Sequence, residues 1–174
     1  STNDQLLRWM DPDTLHGRAC IAEYQSKGRG RHGRSWFGTP YCNITLSLAW
    51  KAKCELSELS TVSLAAGLAV ARVLERMGLI GVRLKWPNDL VFHHGKLGGV
   101  LVDVKASSYS GSDIVIGVGV NLYNPLVVSE QVDQVIVNLQ DLVNAPIDRT
   151  QLIGELLVEL SVTLAKLDER GFAD

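Results

Sequence analysis

Residues 82–104 read VRLKWPNDLVFHHGKLGGVLVDV, which contains three short apolar runs separated by turn-forming residues. Pro87 ends the first run, and His94-Gly95 separates the other two in the manner of a hairpin turn. Apolar runs of this length, bounded by proline or glycine, are typical of β-strands. The expected strands are Val82–Trp86, Leu90–His93 and Leu97–Val104.

Further elements are predicted on both sides of this segment. Apolar residues at helical spacing predict two long helices; Gly78 is the expected stop of the first, and Asp148 with Gln151 forms a candidate capping box for the second. The expected helices are 4–10, 58–77 and 148–167, with a helical turn near 138–143. The further strands are expected at 19–24, 43–50 and 113–122, and the loops at 25–42 and 105–112. Strands in runs, interrupted by two long helices, favour an α+β fold over a regular βαβ repeat.

The composition is that of an ordinary globular domain. The chain has 174 residues, a net charge of −2 and a mean hydropathy of +0.09, which fits one domain over residues 1–174. The slightly acidic balance argues against non-specific nucleic-acid binding, and the longest apolar stretch, Ser63–Val70, is too short to span a membrane. The three cysteines are odd in number and lack paired spacing, which favours a reducing, cytoplasmic compartment and gives no support to a zinc site.

A glycine- and arginine-rich segment, KGRGRHGR at Lys27–Arg34, is the strongest chemical signal. Arginine offers a permanently charged planar fork for carboxylates and phosphates, and glycine lets a ligand approach the backbone closely. The segment matches the pattern GxGxxG, but Ser35–Pro40 cannot continue as the helix that a dinucleotide site requires. A Walker A loop is absent too, since no Gly-Lys-Ser/Thr follows. An anion-handling loop and a solvated surface loop both remain open from this segment alone.

The segment Lys85–Asp89 follows a predicted strand and has two interpretations. It presents Lys85, Asn88 and Asp89 to a cleft, or it is only a proline-containing turn. Trp86 is expected in the core rather than against a ligand.

Two glycine-containing segments raise the same question. Gly95–Gly99 puts Lys96 at a hairpin, where it faces either a site or solvent. Its glycine pair, like the two glycines of Gly117–Asn121, lies within a strand pattern, and such glycines often mark a close approach to the backbone.

Taken together and in this order, these motifs resemble the catalytic domain of the biotin protein ligases. The motifs are STN at 1–3, GRGRxGR at 28–34, KWPND at 85–89, GKLGG at 95–99 and IGVGVN at 116–121. The resemblance implies an α+β fold with a mixed, mostly antiparallel sheet packed against helices, related to that of class II aminoacyl-tRNA synthetases. It also implies two reaction steps: the carboxylate of biotin attacks ATP to give biotinyl-5′-AMP and pyrophosphate, and a lysine of a carrier protein then accepts biotin and releases AMP.

Carried over motif by motif, the resemblance assigns roles to individual residues, with no protein side chain assigned to a metal. The catalytic set is Lys96, Arg31, Arg29 and Asp89. The biotin-binding set is Ser1, Thr2, Asn3, Gln25, Gly28, Arg29, Gly30, Arg31, Lys96, Gly99 and Gly117, with Gly98 expected beside it. The nucleotide-binding set is Arg31, Arg34, Trp36, Lys85, Asn88 and Asn121. Asp89 is also expected to orient or deprotonate the incoming carrier lysine.

The resemblance further implies ligands and partners. ATP, Mg²⁺ and biotin are expected, and the carrier is expected to be the biotin carboxyl carrier protein of acetyl-CoA carboxylase. Exposed strand edges leave a homodimer open, while no nucleic-acid or membrane partner is expected. The helix-turn-helix and C-terminal β-barrel domains of some relatives are expected to be absent from residues 1–174. A lipoate or octanoate ligase of the same fold and a non-catalytic module that senses biotinyl-AMP stay as alternatives.

Overall fold

A computed structural model describes residues 1–9, 16–53, 56–108, 111–124 and 134–170. Its helices are α1 (Thr2–Trp9), α2 (Leu59–Arg76) and α3 (Arg149–Arg170), with short 3₁₀ turns at Arg31–Gly33, Leu56–Glu58 and Leu139–Asp141. Its strands are β1 (Ala19–Ile21), β2 (Asn43–Ala52), β3 (Arg83–Lys85), β4 (Asp89–Phe92), β5 (Gly95–Ser108) and β6 (Gly111–Asn121).

The six strands form one antiparallel sheet in the order β1-β2-β6-β5-β4-β3. The expected α+β class and the mostly antiparallel sheet are therefore confirmed. The β5–β6 pair is the longest hairpin, and β6 is held between β2 and β5 along its whole length. This central position fixes which residues of β6 share each face of the sheet.

The two faces of the sheet have different coverings. Helices α2 and α3 pack on the face that carries alternate apolar residues of β2 and β6, and these residues form the main core. They are Ile44, Leu46, Leu48, Trp50, Ile114, Ile116, Val118 and Val120. On the opposite face α1 covers only part of the sheet, through a small cluster of Leu6, Ala49 and Val115. The uncovered remainder of that face is where a cavity opens.

Several predicted boundaries differ from the structure. The loop expected at 105–112 is wrong, because β5 continues to Ser108 and β6 begins at Gly111. Lys105 and Ser108 are exposed on this paired ribbon, so their polarity reflects exposure and not the absence of a strand. The strand predicted at 19–24 is shorter, and α1 begins earlier than 4–10 predicted; Met10 lies outside the described residues.

The predicted helix ends follow local chemistry. Gly78, with φ +91°, follows the end of α2 and supplies the left-handed conformation that favours glycine. At the start of α3 the Asp148 carboxylate accepts hydrogen bonds from the backbone N–H groups of Thr150 and Gln151, at 2.9 and 3.0 Å. The Gln151 amide instead donates to Glu155, so the capping box is only half formed. Across the described ranges, no helix is both long and apolar enough to cross a bilayer.

Replacing Asp148 by alanine should destabilise the domain by about 1 kcal/mol, because two backbone donors at the start of α3 lose their acceptor. Asp148→Asn keeps a side-chain oxygen acceptor and should lose much less. Urea midpoints of the two variants check the prediction, and equal losses would show that the cap contributes through charge and not through its hydrogen bonds.

Candidate functional site

A cavity of about 380 Å³ opens on the sheet face that α1 leaves uncovered. Its lining includes all the residues that the sequence assigned to biotin, nucleotide or catalysis except Gly28. Gly28 lies behind the lining, where its carbonyl accepts from the backbone N–H of Trp36 at 3.0 Å. The structure therefore brings the five separate motifs to one place, although the individual roles stay predictions.

One end of the cavity, called here the polar end, is lined by the uncharged polar side chains of Thr2, Asn3 and Gln25, with Ser47 buried behind them in the same hydrogen-bond network. The Gln25 carbonyl accepts from the Thr2 backbone N–H at 2.7 Å, and Ser47 lies 2.7 Å from the Thr2 hydroxyl and 2.5 Å from Asn3 Oδ1. Three of the four side chains are buried or nearly so, which fixes their orientation before any ligand binds.

The floor of the cavity contains three residues without a side chain, Gly99, Gly117 and Gly119. Gly119 on β6 and Gly99 on β5 lie side by side, and Asp89 on β4 follows in the same row. The Asn3 amide lies against Gly117 so closely that a β-carbon there would collide with it. Gly98 points to the opposite face, where Leu90 packs, so the expectation that it borders the ligand is wrong.

Lys96 reaches the cavity because of an irregularity in β5. Between Gly98 and Lys96 the pairing with β4 skips one residue, Leu97, which is fully buried in the core. A β-bulge of this kind re-aims the side chains beyond it, so Lys96 shares a face with Gly99 instead of pointing into the core. Its Nζ lies 2.8 Å from Asp89 Oδ1. We call Lys96 and Asp89 the lysine end of the cavity.

Trp36 packs between the floor and the lysine end. Its indole lies 2.6 Å from the position of a β-carbon on Gly119, and Lys96 Nζ is 5.9 Å from the ring centroid. The indole Nε1 is buried, and no group among the described residues accepts a hydrogen bond from it. Because buried donors are normally paired, this N–H is available to an acceptor on a ligand.

The two predicted asparagines hold the strands around the lysine end. Asn88 Nδ2 donates to the Val100 carbonyl at 2.7 Å, and Asn121 Nδ2 donates to the Lys96 carbonyl at 3.0 Å. Each of these bonds uses one of the two N–H groups of the amide nitrogen. Asn121 is held further, because its Oδ1 accepts from Asn124 Nδ2 at 3.2 Å.

Cations dominate the described lining of the cavity. Arg29, Arg31, Arg34, Lys85 and Lys96 line it together with one carboxylate, Asp89. Over the described ranges, Arg31, Arg34 and Lys85 make no ion pair, so their charges are available to an incoming anion.

Arg29 differs from the other arginines of the loop. Its Nη2 lies 2.7 Å from Asp4 Oδ1 and 2.6 Å from Asp103 Oδ2. Burial would by itself lower the pKa of Arg29, but the Asp103 and Asp4 carboxylates outweigh it and raise that pKa. Burial would likewise raise the pKa of Asp4, and hydrogen bonding to Ser1 together with the Arg29 charge lowers it overall.

The predictions from sequence omitted Ser47 and Asp103, which lie beside the cavity lining, and misplaced Trp86, which is part of it. Ser47 lies on the second face of β2, whose small polar residues alternate with the apolar ones, and Asp103 is a lone charge within an apolar strand. Both patterns were visible signals. The expectation that Trp86 belongs to the core is wrong, because 69% of its side chain is exposed and it lines the cavity.

Metal ligands are few in this site. The described ranges contain no cluster of three or more His, Cys, Asp or Glu side chains that could hold an ion. Mg²⁺ is commonly held by one or two carboxylates together with phosphate oxygens, so Asp89 alone fits an ion carried in by a nucleotide and not one resident in the protein.

The structure thus defines an antiparallel α+β domain whose cavity joins a polar network to a cluster of cations. The chain belongs to the biotin/lipoate A/B protein ligase family, whose model matches residues 1–121.

Individual relatives agree with this assignment. The chain is 38% identical to the bifunctional ligase/repressor BirA of Escherichia coli K12 over 173 residues, which is 99% of this chain and 53% of that protein. It is 37% identical to the biotin–acetyl-CoA-carboxylase ligase of Mycobacterium tuberculosis over 169 residues, covering 94% and 60%. The chain thus spans about half the length of the E. coli relative.

A solved structure shares the fold. The biotin protein ligase from Aquifex aeolicus in complex with biotin and ATP superposes with a TM-score of 0.83 at 30% identity, over 99% of this chain and 69% of that one.

The stability that Asp4 contributes should depend on pH in the acid range. Since its pKa is lowered from 3.8 in the fold, the contribution is complete above pH 3.8 and is lost as the pH falls through the folded value. Asp4→Asn should unfold at lower urea than the unmodified protein near neutrality, by less than about 1 kcal/mol because solvent screens the pair. That difference should vanish in acid.

Urea midpoints measured from neutral to acid pH check this, with Asp113→Asn on β6 as the matched loss of a carboxylate away from the cavity. A difference between Asp4→Asn and the unmodified protein that persists well below pH 3.8 would contradict the assignment.

Proposed function

We propose that this chain carries the domain that activates biotin with ATP and transfers it to a lysine of a carrier protein. The observation that carries the proposal is the cavity itself, which joins a preformed polar end to a cation-rich lysine end over one glycine floor. A carboxylic acid with a polar ring, bound lengthwise, would place its ring at the first end and its carboxylate at the second.

The polar end suits the cyclic urea of biotin. A urea offers both donors and an acceptor, and the hydroxyl and amide groups of Thr2, Asn3 and Gln25 on the cavity lining can pair with both. The dithiolane of lipoate and the alkyl chain of octanoate cannot hydrogen-bond to this polar network and would displace water from it without compensation, at a cost in affinity. The polar end therefore favours biotin over the two rival acids.

The lysine end suits the first reaction step. A carboxylate oxygen of biotin attacks the α-phosphorus of ATP, and the bond to pyrophosphate breaks. Two anions meet in this step, so preorganised cations lower its barrier. Lys96, fixed by the bulge and by Asp89, would stabilise the charge that develops at phosphorus, with Arg31 covering the carboxylate and phosphate.

The remaining predicted contacts concern the nucleotide and the covering loop. Trp36 would pack against adenine, and Arg34, Lys85, Asn88 and Asn121 would surround the phosphates and sugar. Residues 28–31 would close over the adenylate and exclude water, and Mg²⁺ would enter with the ATP phosphates.

The second step needs a neutral amine. The carrier lysine is charged at neutral pH, so a group must hold or accept its proton before it attacks the acyl carbon and AMP leaves. Asp89 is the described carboxylate on the cavity lining and would orient or deprotonate that lysine.

The partner and setting follow from the same proposal. The carrier would be the biotin carboxyl carrier protein of acetyl-CoA carboxylase, in the cytoplasm where ATP is available. That residues 1–174 form a single catalytic domain stays a prediction, as does a homodimer through the sheet edges. Binding of biotinyl-AMP without turnover is the non-enzymatic alternative, and the presence of Lys96 beside Asp89 favours catalysis over it.

Pyrophosphate exchange into ATP should depend on biotin and should be much weaker with lipoate or octanoate, because only biotin pairs with the polar end. Lys96→Ala should lower the exchange roughly 10²–10³-fold, since it removes one preorganised charge from the transition state. Exchange that is equal with all three acids, or that survives Lys96→Ala, would defeat the proposal.

The role of Asp89 can be separated by assaying the two steps independently. Asp89→Asn should slow transfer from preformed biotinyl-AMP to the carrier by roughly 10²-fold or more, because the variant can hold the amine but cannot take its proton. Asp113→Asn removes a carboxylate from β6 away from the lining and is the matched control. Transfer that proceeds at the rate of the unmodified protein would sink this role.

A further inference from the structure

Resting on the proposed function, we infer that Arg29 and Arg31 divide the work of the loop. Arg29 is a positioning residue that fixes the loop to the polar end, and Arg31 alone of the two recognises the carboxylate and phosphate. This reassigns Arg29, which the family resemblance placed over the carboxylate of biotin.

The contacts of Arg29 leave its guanidinium little capacity for a ligand. Nη2 lies between Asp4 on α1 and Asp103 on β5, and Nη1 lies 3.4 Å from the second oxygen of Asp103. The loop is thus joined to two elements that are far apart in sequence. Two carboxylates also offset the charge of Arg29 locally, so it adds little attraction for an anion at the lysine end.

Asp103 links this attachment to the polar end. Its Oδ2 accepts from both Arg29 and the Asn3 amide nitrogen, the latter at 2.8 Å. The same amide nitrogen lies 3.4 Å from the Leu101 carbonyl, so both Asn3 donors are used and its carbonyl is turned to Ser47. The orientation of a buried amide beside the ligand therefore depends on the carboxylate that holds Arg29.

Arg31 has the opposite surroundings. It lines the cavity two residues further along, in the short 3₁₀ turn Arg31–Gly33, and within the described residues no carboxylate pairs with it. Two backbone contacts join the residues on either side of this turn. One is the β-bridge between Arg29 and Ser35, and the other is the hydrogen bond from the Gly30 N–H to the Arg34 carbonyl at 2.8 Å. The ion pairs that fix Arg29 therefore also position Arg31, and they leave the Arg31 guanidinium available to a ligand.

A ligand pair separates the two roles. Biotin and its primary alcohol, biotinol, share the bicyclic ring and chain, and only biotin has a carboxylate. Arg29→Ala should weaken binding of both by the same factor, because it loosens the polar end. Arg31→Ala should weaken biotin roughly tenfold or more and leave biotinol little changed, because it removes a charge-assisted hydrogen bond to the carboxylate.

Titration calorimetry with the whole chain measures all four affinities, and melting temperature tests folding. Arg76→Ala breaks an exposed ion pair with Glu159 on the helix face of the sheet and should leave both ligands unchanged. Should Arg29→Ala fail to fold, Asp103→Asn keeps the shape of the side chain, does not line the cavity, and should also weaken both ligands equally.

The outcomes are distinct. A loss in Arg29→Ala or Asp103→Asn that is confined to biotin overturns the inference and leaves the proposed function standing. An equal loss of affinity for both ligands supports the inference. A double variant in which Arg29→Ala lowers the affinity little beyond Asp103→Asn alone supports it too. An unmodified protein that binds neither ligand overturns both the inference and the proposed function.

Discussion

Both the hydrophobic core and the cavity floor depend on one constraint, the register of β6 between β2 and β5. One face of the strand supplies Ile114, Ile116, Val118 and Val120 to the core, and the other supplies Gly117 and Gly119 to the cavity floor. A slip of one residue would exchange the two sets. It would bury glycines against α2 and α3 and fill the cavity with branched side chains, so the fold and the site are specified by the same alternation.

The lysine end needs a local exception to that alternation. Strict pairing along β5 would point Leu97 to the cavity and Lys96 to the core, where an unpaired ammonium would be strongly disfavoured. The bulge reverses both at once, since Leu97 becomes fully buried and Lys96 gains Asp89. The hydrophobic effect on one side and ion pairing on the other thus stabilise the same irregularity, which therefore supports stability and chemistry together.

This division explains what the sequence could and could not predict. Periodicity predicted the strands, the long helices and the cap at Asp148, because these depend on neighbours in the chain. Motif resemblance placed Arg31, Lys96 and Asp89 together. Asp103 and Ser47 have visible patterns, but the sequence could not predict their roles because their partners lie 74 and 45 residues away, on elements that only the sheet brings close. The prediction for Trp86 was wrong because aromatic residues are buried on average, and that average does not identify one that lies at the rim of a cavity.

The two ends of the cavity also differ in how they would take a ligand. At the polar end, Gln25, Thr2, Ser47 and Asn3 satisfy one another, so the pocket exists before binding and little ordering remains to be done. Elsewhere on the lining, Arg31, Arg34 and Lys85 form no ion pair within the described residues, and an anion would offset their like charges. The ring would then be recognised by shape and hydrogen bonding, and the phosphate by charge. Because salt screens charges and not shape or buried hydrogen bonds, added salt should weaken nucleotide binding far more than binding of the biotin ring.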